Sequence, residues 1–172
     1  IPAEITRLPQ PLSEAIIYFE SLVRVSDLIV AHNAEFDKKW FGLNKLPRIE
    51  KPWICSMDDM TWPADRQLKT RPSVRDLALA YGVPVWNAHR ALTDCIYLAE
   101  VFKRCSDFEK LLIRGLEPKV LVFAEISYEE RHLAKNSGFR WNDAIKGAWS
   151  RKMSRRDIEK LEFTVHEVES QS

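Results

Sequence analysis

No stretch of this chain approaches the roughly 18 consecutive apolar residues that a membrane-spanning helix needs, and its first residues carry no signal-peptide pattern. A cytoplasmic protein without a membrane partner is the expectation. Cysteine is scarce. Cys55, Cys95 and Cys105 are odd in number and scattered, which argues against a disulfide framework, fits a reducing compartment and does not match zinc-site spacing. Neither sign of charge is in excess: 26 Lys and Arg stand against 25 Asp and Glu, a net of +1. Any hold on a polyanion must therefore come from a local cluster. There is no internal repeat and no low-complexity segment. What is present is ordinary for a globular protein, with 45% hydrophobic and 30% charged residues over 172 positions. That length supports one good core, or one core and a small module.

Pro2, Pro9 and Pro11 make residues 1–11 an irregular lead-in. From Leu12 the apolar residues Ala15, Ile16, Phe19, Leu22 and Val23 recur at helical spacing, predicting a helix to Val25. The short apolar run 28–31 reads as a strand buried on both faces, as in a parallel sheet. Asn33 is placed to cap a helix reaching Leu43, with Asp37 beside Trp40 and Phe41 on it. Asp37 thus follows a buried strand, where open α/β sheets bind ligands; a surface aspartate among Lys38 and Lys39 is an equally good description of this residue alone. Trp53 to Ser56 is a second strand candidate. The adjacent Asp58 and Asp59 point apart in any regular structure and read as a solvated turn rather than metal ligands. Ser73-Val-Arg-Asp76 resembles a capping box opening a helix through Tyr81, stopped by Gly82 and Pro84.

Asn87-Ala-His89-Arg-Ala-Leu-Thr-Asp94 leads into a long helix to about Arg114. Asp94 lies on the apolar stripe of Ala91, Leu98, Val101, Phe102 and Cys105. A carboxylate on a core-facing stripe is costly unless something pairs with it. His89 sits on the turn leading in, a group that exchanges protons near neutral pH beside a hard-oxygen ligand. Taken alone, a dipole-complementing aspartate and a structural histidine describe the pair better.

Gly115 to Pro118 reads as a linker. Beyond it, a strand over 120–124, a helix over 128–136, a hairpin around 142–147, a short helix capped by Ser154 and a strand over 163–168 give the order β-α-β-β-α-β of a small α+β module. Residues 131–156 hold eight Lys or Arg against one acid, Asp143, a local net of +7. Arg140, Trp141, Arg151 and Lys152 are candidates for a nucleic-acid surface, since bases stack on aromatics and phosphates pair with cations. Two core tryptophans with a solvated basic rim are slightly favoured over it.

Leu28-Ile-Val-Ala-His-Asn-Ala-Glu-Phe-Asp37 and Ala88-His-Arg-Ala-Leu-Thr-Asp94 together resemble the second and third motifs of the DEDDh 3′–5′ exonucleases, a family that includes the proofreading epsilon subunit of bacterial DNA polymerase III. Ser73 to Leu77 and Tyr81 to Pro84 look like that family's approach to its third motif, and the likeness covers about residues 1–113. It implies an α/β, ribonuclease H-like exonuclease fold over 1–114, followed by the small α+β module over 119–172. It also implies hydrolysis of phosphodiesters from the 3′ end of nucleic acid, DNA in preference to RNA. Asp37 and Asp94 would be ligands of two Mg²⁺ or Mn²⁺ ions about 4 Å apart, and His89 the general base. His32, Asn33, Phe36 and Arg90, flanking the motifs, would contact substrate. A DNA polymerase or other companion chain is the implied partner. The alternative is a catalytically dead nucleic-acid-binding or polymerase-associated scaffold.

The sequence departs from the family in one respect. The family's first motif, Asp-x-Glu on the first strand, has no counterpart before Asp37. The occurrences Asp107-Phe-Glu109 and Asp157-Ile-Glu159 follow the third motif in helical stretches, where positions two apart diverge. Two divalent ions bring four positive charges, while Asp37, Asp94 and one phosphate return at most three negative ones. The expectation is that this chain alone holds fewer than two ions and does not turn over, and that the missing strands lie upstream or on a companion chain.

Overall fold

In the computed structural model, which describes residues 4, 7–9, 11–87 and 90–168, helices and two small sheets form a mixed α/β chain. Most of the lead-in and the last four residues fall outside that set. The first helix, α1 (Leu12–Val25), spans the expected positions but buries none of them. Strands β1 (Ile29–Ala31) and β2 (Trp53–Cys55) pair in parallel, Ile29 with Trp53 and Ala31 with Cys55. β1 is half-buried rather than covered on both faces, because β2 is the one strand hydrogen-bonded to it among the described residues.

Between them lies α2, which is shorter than expected, Ala34–Lys38. The chain then tightens: Trp40 N–H donates to Asp37 O and Phe41 N–H to Lys38 O, both three residues back. Gly42, at φ 82°, turns it away. Asn33 stands at the helix start in the left-handed region (φ 63°, ψ 51°) with no side-chain cap; asparagine is among the few residues that accept this backbone. Helix α3 (Val74–Ala80) opens on the expected capping box. Asp76 N–H donates to Ser73 Oγ at 3.1 Å and Ser73 N–H to Asp76 Oδ2 at 2.9 Å.

The long helix divides into α4 (Ala91–Arg104) and α5 (Phe108–Gly115). Cys105 is extended (ψ 106°), and the break falls at Ser106 and Asp107, whose side chains compete with helical backbone bonds. Ile54, Leu77, Tyr97, Val101 and Leu111 meet in the first core. Gly115 closes against it: a Cβ there would lie 2.8 Å from Ile54 Cγ2.

The C-terminal module has the expected element order. Strands β3 (Lys119–Ala124), β4 (Arg140–Trp141), β5 (Trp149–Ser154) and β6 (Val165–Glu167) form one antiparallel sheet in the order β4-β5-β3-β6. Helices α6 (Arg131–Asn136) and α7 (Arg155–Ile158) accompany it. Val122, Ala134, Phe139 and Met153 form its own core. Contacts between the described residues tie the module to the first core: Thr70 Oγ1 donates to Asn136 O, Lys119 Nζ donates to Gly115 O at 2.6 Å, Arg114 pairs with Asp157 at 3.1 Å, Lys119 with Asp59 at 3.1 Å, and Arg156 with Glu117 at 3.2 Å. No helix among the described residues is long and apolar enough to cross a membrane.

Candidate active site

The carboxyl ends of β1 and β2 are joined side by side. Ser56 N–H donates to Ala31 O at 2.9 Å, and His32 Nδ1 lies 3.0 Å from Ser56 Oγ. A side chain on the residue after β1 is thereby fixed at the edge where parallel sheets present ligand-binding groups. Burial pushes the His32 imidazole below its usual pKa, and the charges of Asp58 and then Asp94 push back. Burial thus favours the neutral form of His32, within the field of Asp94.

Asp37 comes from α2 and Asp94 from the first turn of α4, 57 positions apart in the chain. Burial raises the Cys95 thiol pKa, and the charges of Asp37 and Asp94 raise it further. Asp37 is therefore within electrostatic reach of Cys95, the chain neighbour of Asp94 at the start of α4. Asp37 is half-buried, and that burial lifts its carboxyl above the ordinary aspartate range. No ion pair forms on it among the described residues, since Lys38 turns to Glu35 at 3.8 Å.

The approach to His89 is anchored from below. The hydroxyl of Tyr97, a fully buried residue, accepts the backbone N–H groups of Trp86 at 2.9 Å and Asn87 at 3.1 Å. Trp86 also meets the Tyr97 ring edge-on at 5.0 Å. Ala88 and His89 themselves lie outside the described residues. Asn33, Phe36 and Arg90 are exposed near these elements, with Lys39 Nζ 4.2 Å over the Phe36 ring.

Among the described residues no group of three or more His, Cys, Asp or Glu side chains is arranged to hold a metal ion. Two oxygen donors suit one hard divalent cation that keeps several waters. They fall short of the set that two ions require.

Asp58 and Asp59 stand in the expected turn, but half-buried and ion-paired rather than free in solvent. Asp58 Oδ1 pairs with Arg71 Nε at 2.5 Å, while Asp59 accepts the Cys55 N–H at 2.7 Å and meets Lys119 at 3.1 Å. Their cationic partners lie 13 and 60 positions away, separations that no local pattern reveals.

The four residues assigned to a nucleic-acid surface divide between two faces. Arg140 stands opposite Ser150 and Trp141 opposite Trp149. Cross-strand partners share a face, and successive residues alternate. Arg140 and Lys152 therefore share one face with Ser150 and Leu121. Trp141 and Arg151 share the other with Trp149 and Val122. Trp149 packs on the module's core, and Trp141, 56% exposed, tilts over it at 5.8 Å. The local charge is also diluted from outside the run, by Glu167 on Arg155 and Glu117 on Arg156.

Residues 120–168 match the model of a domain of unknown function, DUF8626, which corresponds to the C-terminal module from the second residue of β3 onward. No curated protein and no solved structure matches the chain.

Proposed function

We propose that the chain carries part of the catalytic domain of a metal-dependent 3′–5′ exonuclease of ribonuclease H-like fold. What supports it is that Asp37, in the helix that follows β1, lies within electrostatic reach of Cys95, the chain neighbour of Asp94 at the start of α4. Asp37 and Asp94 would hold Mg²⁺ or Mn²⁺, which supply a polarised phosphodiester and an activated water when bound. His89, reached through a loop fixed by Tyr97, would accept the water's proton. The 3′ end of DNA is the proposed substrate, and a DNA polymerase or another companion chain the proposed partner. Additional acids would arrive on a strand joining the open edge of β1.

The test is hydrolysis of 3′-labelled single-stranded DNA in Mg²⁺ or Mn²⁺, with EDTA as control. It is run on the 172-residue chain and on the protein purified from its natural source, with subunit content read by mass spectrometry. The chain alone is expected to be inactive. The natural protein is expected to shorten DNA from the 3′ end, and to lose at least about a hundredfold on Asp37→Ala or Asp94→Ala, since losing even an outer-sphere partner of a metal costs 10- to 100-fold. With His89→Ala, the fall in rate toward acid pH is expected to disappear along with most of the rate. Hydrolysis indifferent to both aspartates overturns the reading. Full activity from a single homogeneous 20.1 kDa species overturns the incomplete site. The absence of a three-donor group among the described residues favours one alternative, a scaffold that retains the fold without the chemistry; it predicts DNA binding with no hydrolysis in either preparation.

A further inference from the structure

A cleft of about 620 Å³ separates the first core from the open face of the C-terminal sheet. That volume is the size of a nucleotide-class ligand site. Its floor is the sheet face on which Arg140, Ser150 and Lys152 stand together, Arg140 directly across from Ser150 and Lys152 two residues along β5. Trp53, Leu116 and Leu121 add apolar wall.

Ser150 is 2% exposed, and its Oγ has no hydrogen-bond partner among the described residues. A buried hydroxyl left without a partner costs about 1–3 kcal/mol, so a hydroxyl held this way on a ligand-sized cleft needs an explanation. The charges around it narrow the choice. The cleft's acids are engaged by cations: Asp58 by Arg71, Asp59 by Lys119, Glu35 by Lys38, and Glu117 by Arg156. Asp143 reaches Arg140 at 3.4 Å across exposed side chains, a weak pairing. The Lys152 side chain makes no ion pair or hydrogen bond among the described residues. Arg151, reaching the cleft margin beside Gly138, donates to Ser137 O. The surplus around Ser150 is cationic, and the vacant group is a donor.

We propose that this face is a phosphate-binding site, in which Ser150 Oγ donates to a phosphate oxygen flanked by Lys152 and Arg140. The chemistry suits the phosphate of a free nucleotide or of a nucleic-acid strand, with Trp53, Leu116 and Leu121 against its apolar part. The site stands on the C-terminal sheet and does not rest on the nuclease reading.

The test uses the full chain in EDTA, so that no metal and no turnover enter. Inorganic phosphate, thymidine 5′-monophosphate and a short fluorescent oligothymidylate are titrated by calorimetry and anisotropy. Lys152→Gln and Arg140→Gln are each expected to weaken binding about tenfold, the scale of a charge-assisted bond. Each should also lower the salt slope for the oligonucleotide by about 0.7. Ser150→Ala is expected to cost about fivefold. Lys110→Gln, whose ion pair with Asp107 lies outside the cleft, is expected to change nothing. Binding of the oligonucleotide alone assigns the site to a strand, and equal binding of the monophosphate assigns it to a free nucleotide; either supports the proposal. Binding of no probe at millimolar concentration, or binding weakened as much by Lys110→Gln as by Lys152→Gln, overturns it. The Lys152 and Arg140 variants decide the matter even where Ser150→Ala disturbs folding.

Discussion

The two halves of the molecule bury their apolar surface differently. The C-terminal module lays four antiparallel strands against two short helices and makes its own core of Val122, Ala134, Phe139 and Met153. The first half has two three-residue parallel strands among its described residues. Around them large apolar side chains stay in solvent. Tyr18 is 71% exposed and Val25 81% exposed on α1, and Trp40, Leu92 and Ile96 are exposed nearby. Parallel sheets are normally covered on both faces, and a two-stranded sheet is marginal by itself. A locally paired antiparallel sheet can be completed within fifty residues, whereas a parallel one needs strands from further away in the chain or from a partner.

Three substitutions sharpen this contrast. The largest effect is expected from Leu77→Ala, at a fully buried position: about 2–5 kcal/mol by denaturant unfolding. Under the same contrast, β1 and β2 amides should exchange hydrogen faster than those of β3 and β5; equal protection of the two sheets would remove it. Gly115→Ala, at the seam, forces a methyl against Ile54 Cγ2 and is expected to cost about 1–3 kcal/mol in the same measurement. The smallest effect falls on the half-buried Asp37. Its carboxyl pKa is raised on folding from 3.8, so the folded state binds the proton more tightly than the unfolded one. Ionisation therefore costs stability as pH rises through the raised value, and below 3.8 there is no cost. Asp37→Asn is expected to raise metal-free stability at pH 7 by no more than about 0.5 kcal/mol. The gain should vanish in melts below pH 3.8.

Local signals carried most of the fold. The capping box at Ser73, the stop at Gly82 and the β-α-β-β-α-β order of the module stand where turn chemistry and periodicity placed them. Periodicity overran where tertiary context intervened. It extended α2 past the turn at Gly42, and it joined α4 to α5 across Ser106 and Asp107. The apolar stripe on α1 was read correctly as a helix, but the stripe gives no sign of whether anything covers it. At the candidate site, Asp37 and Asp94 stand out in the sequence through a resemblance of the residues around them to exonuclease motifs. The clamps of Asp58 on Arg71 and Asp59 on Lys119 do not, and neither does the Tyr97 hydroxyl beneath the loop to His89. Each depends on a partner distant in sequence. The shared face of Arg140, Ser150 and Lys152 emerges only once strand register is known, because a one-residue shift sends each side chain to the opposite face.

Titration of the 172-residue chain with Mn²⁺, followed by electron paramagnetic resonance, tests most directly whether Asp37 and Asp94 form one site. The account predicts a single bound ion per chain, released by Asp37→Asn and equally by Asp94→Asn. Absence of binding, or binding that survives both substitutions, would contradict it.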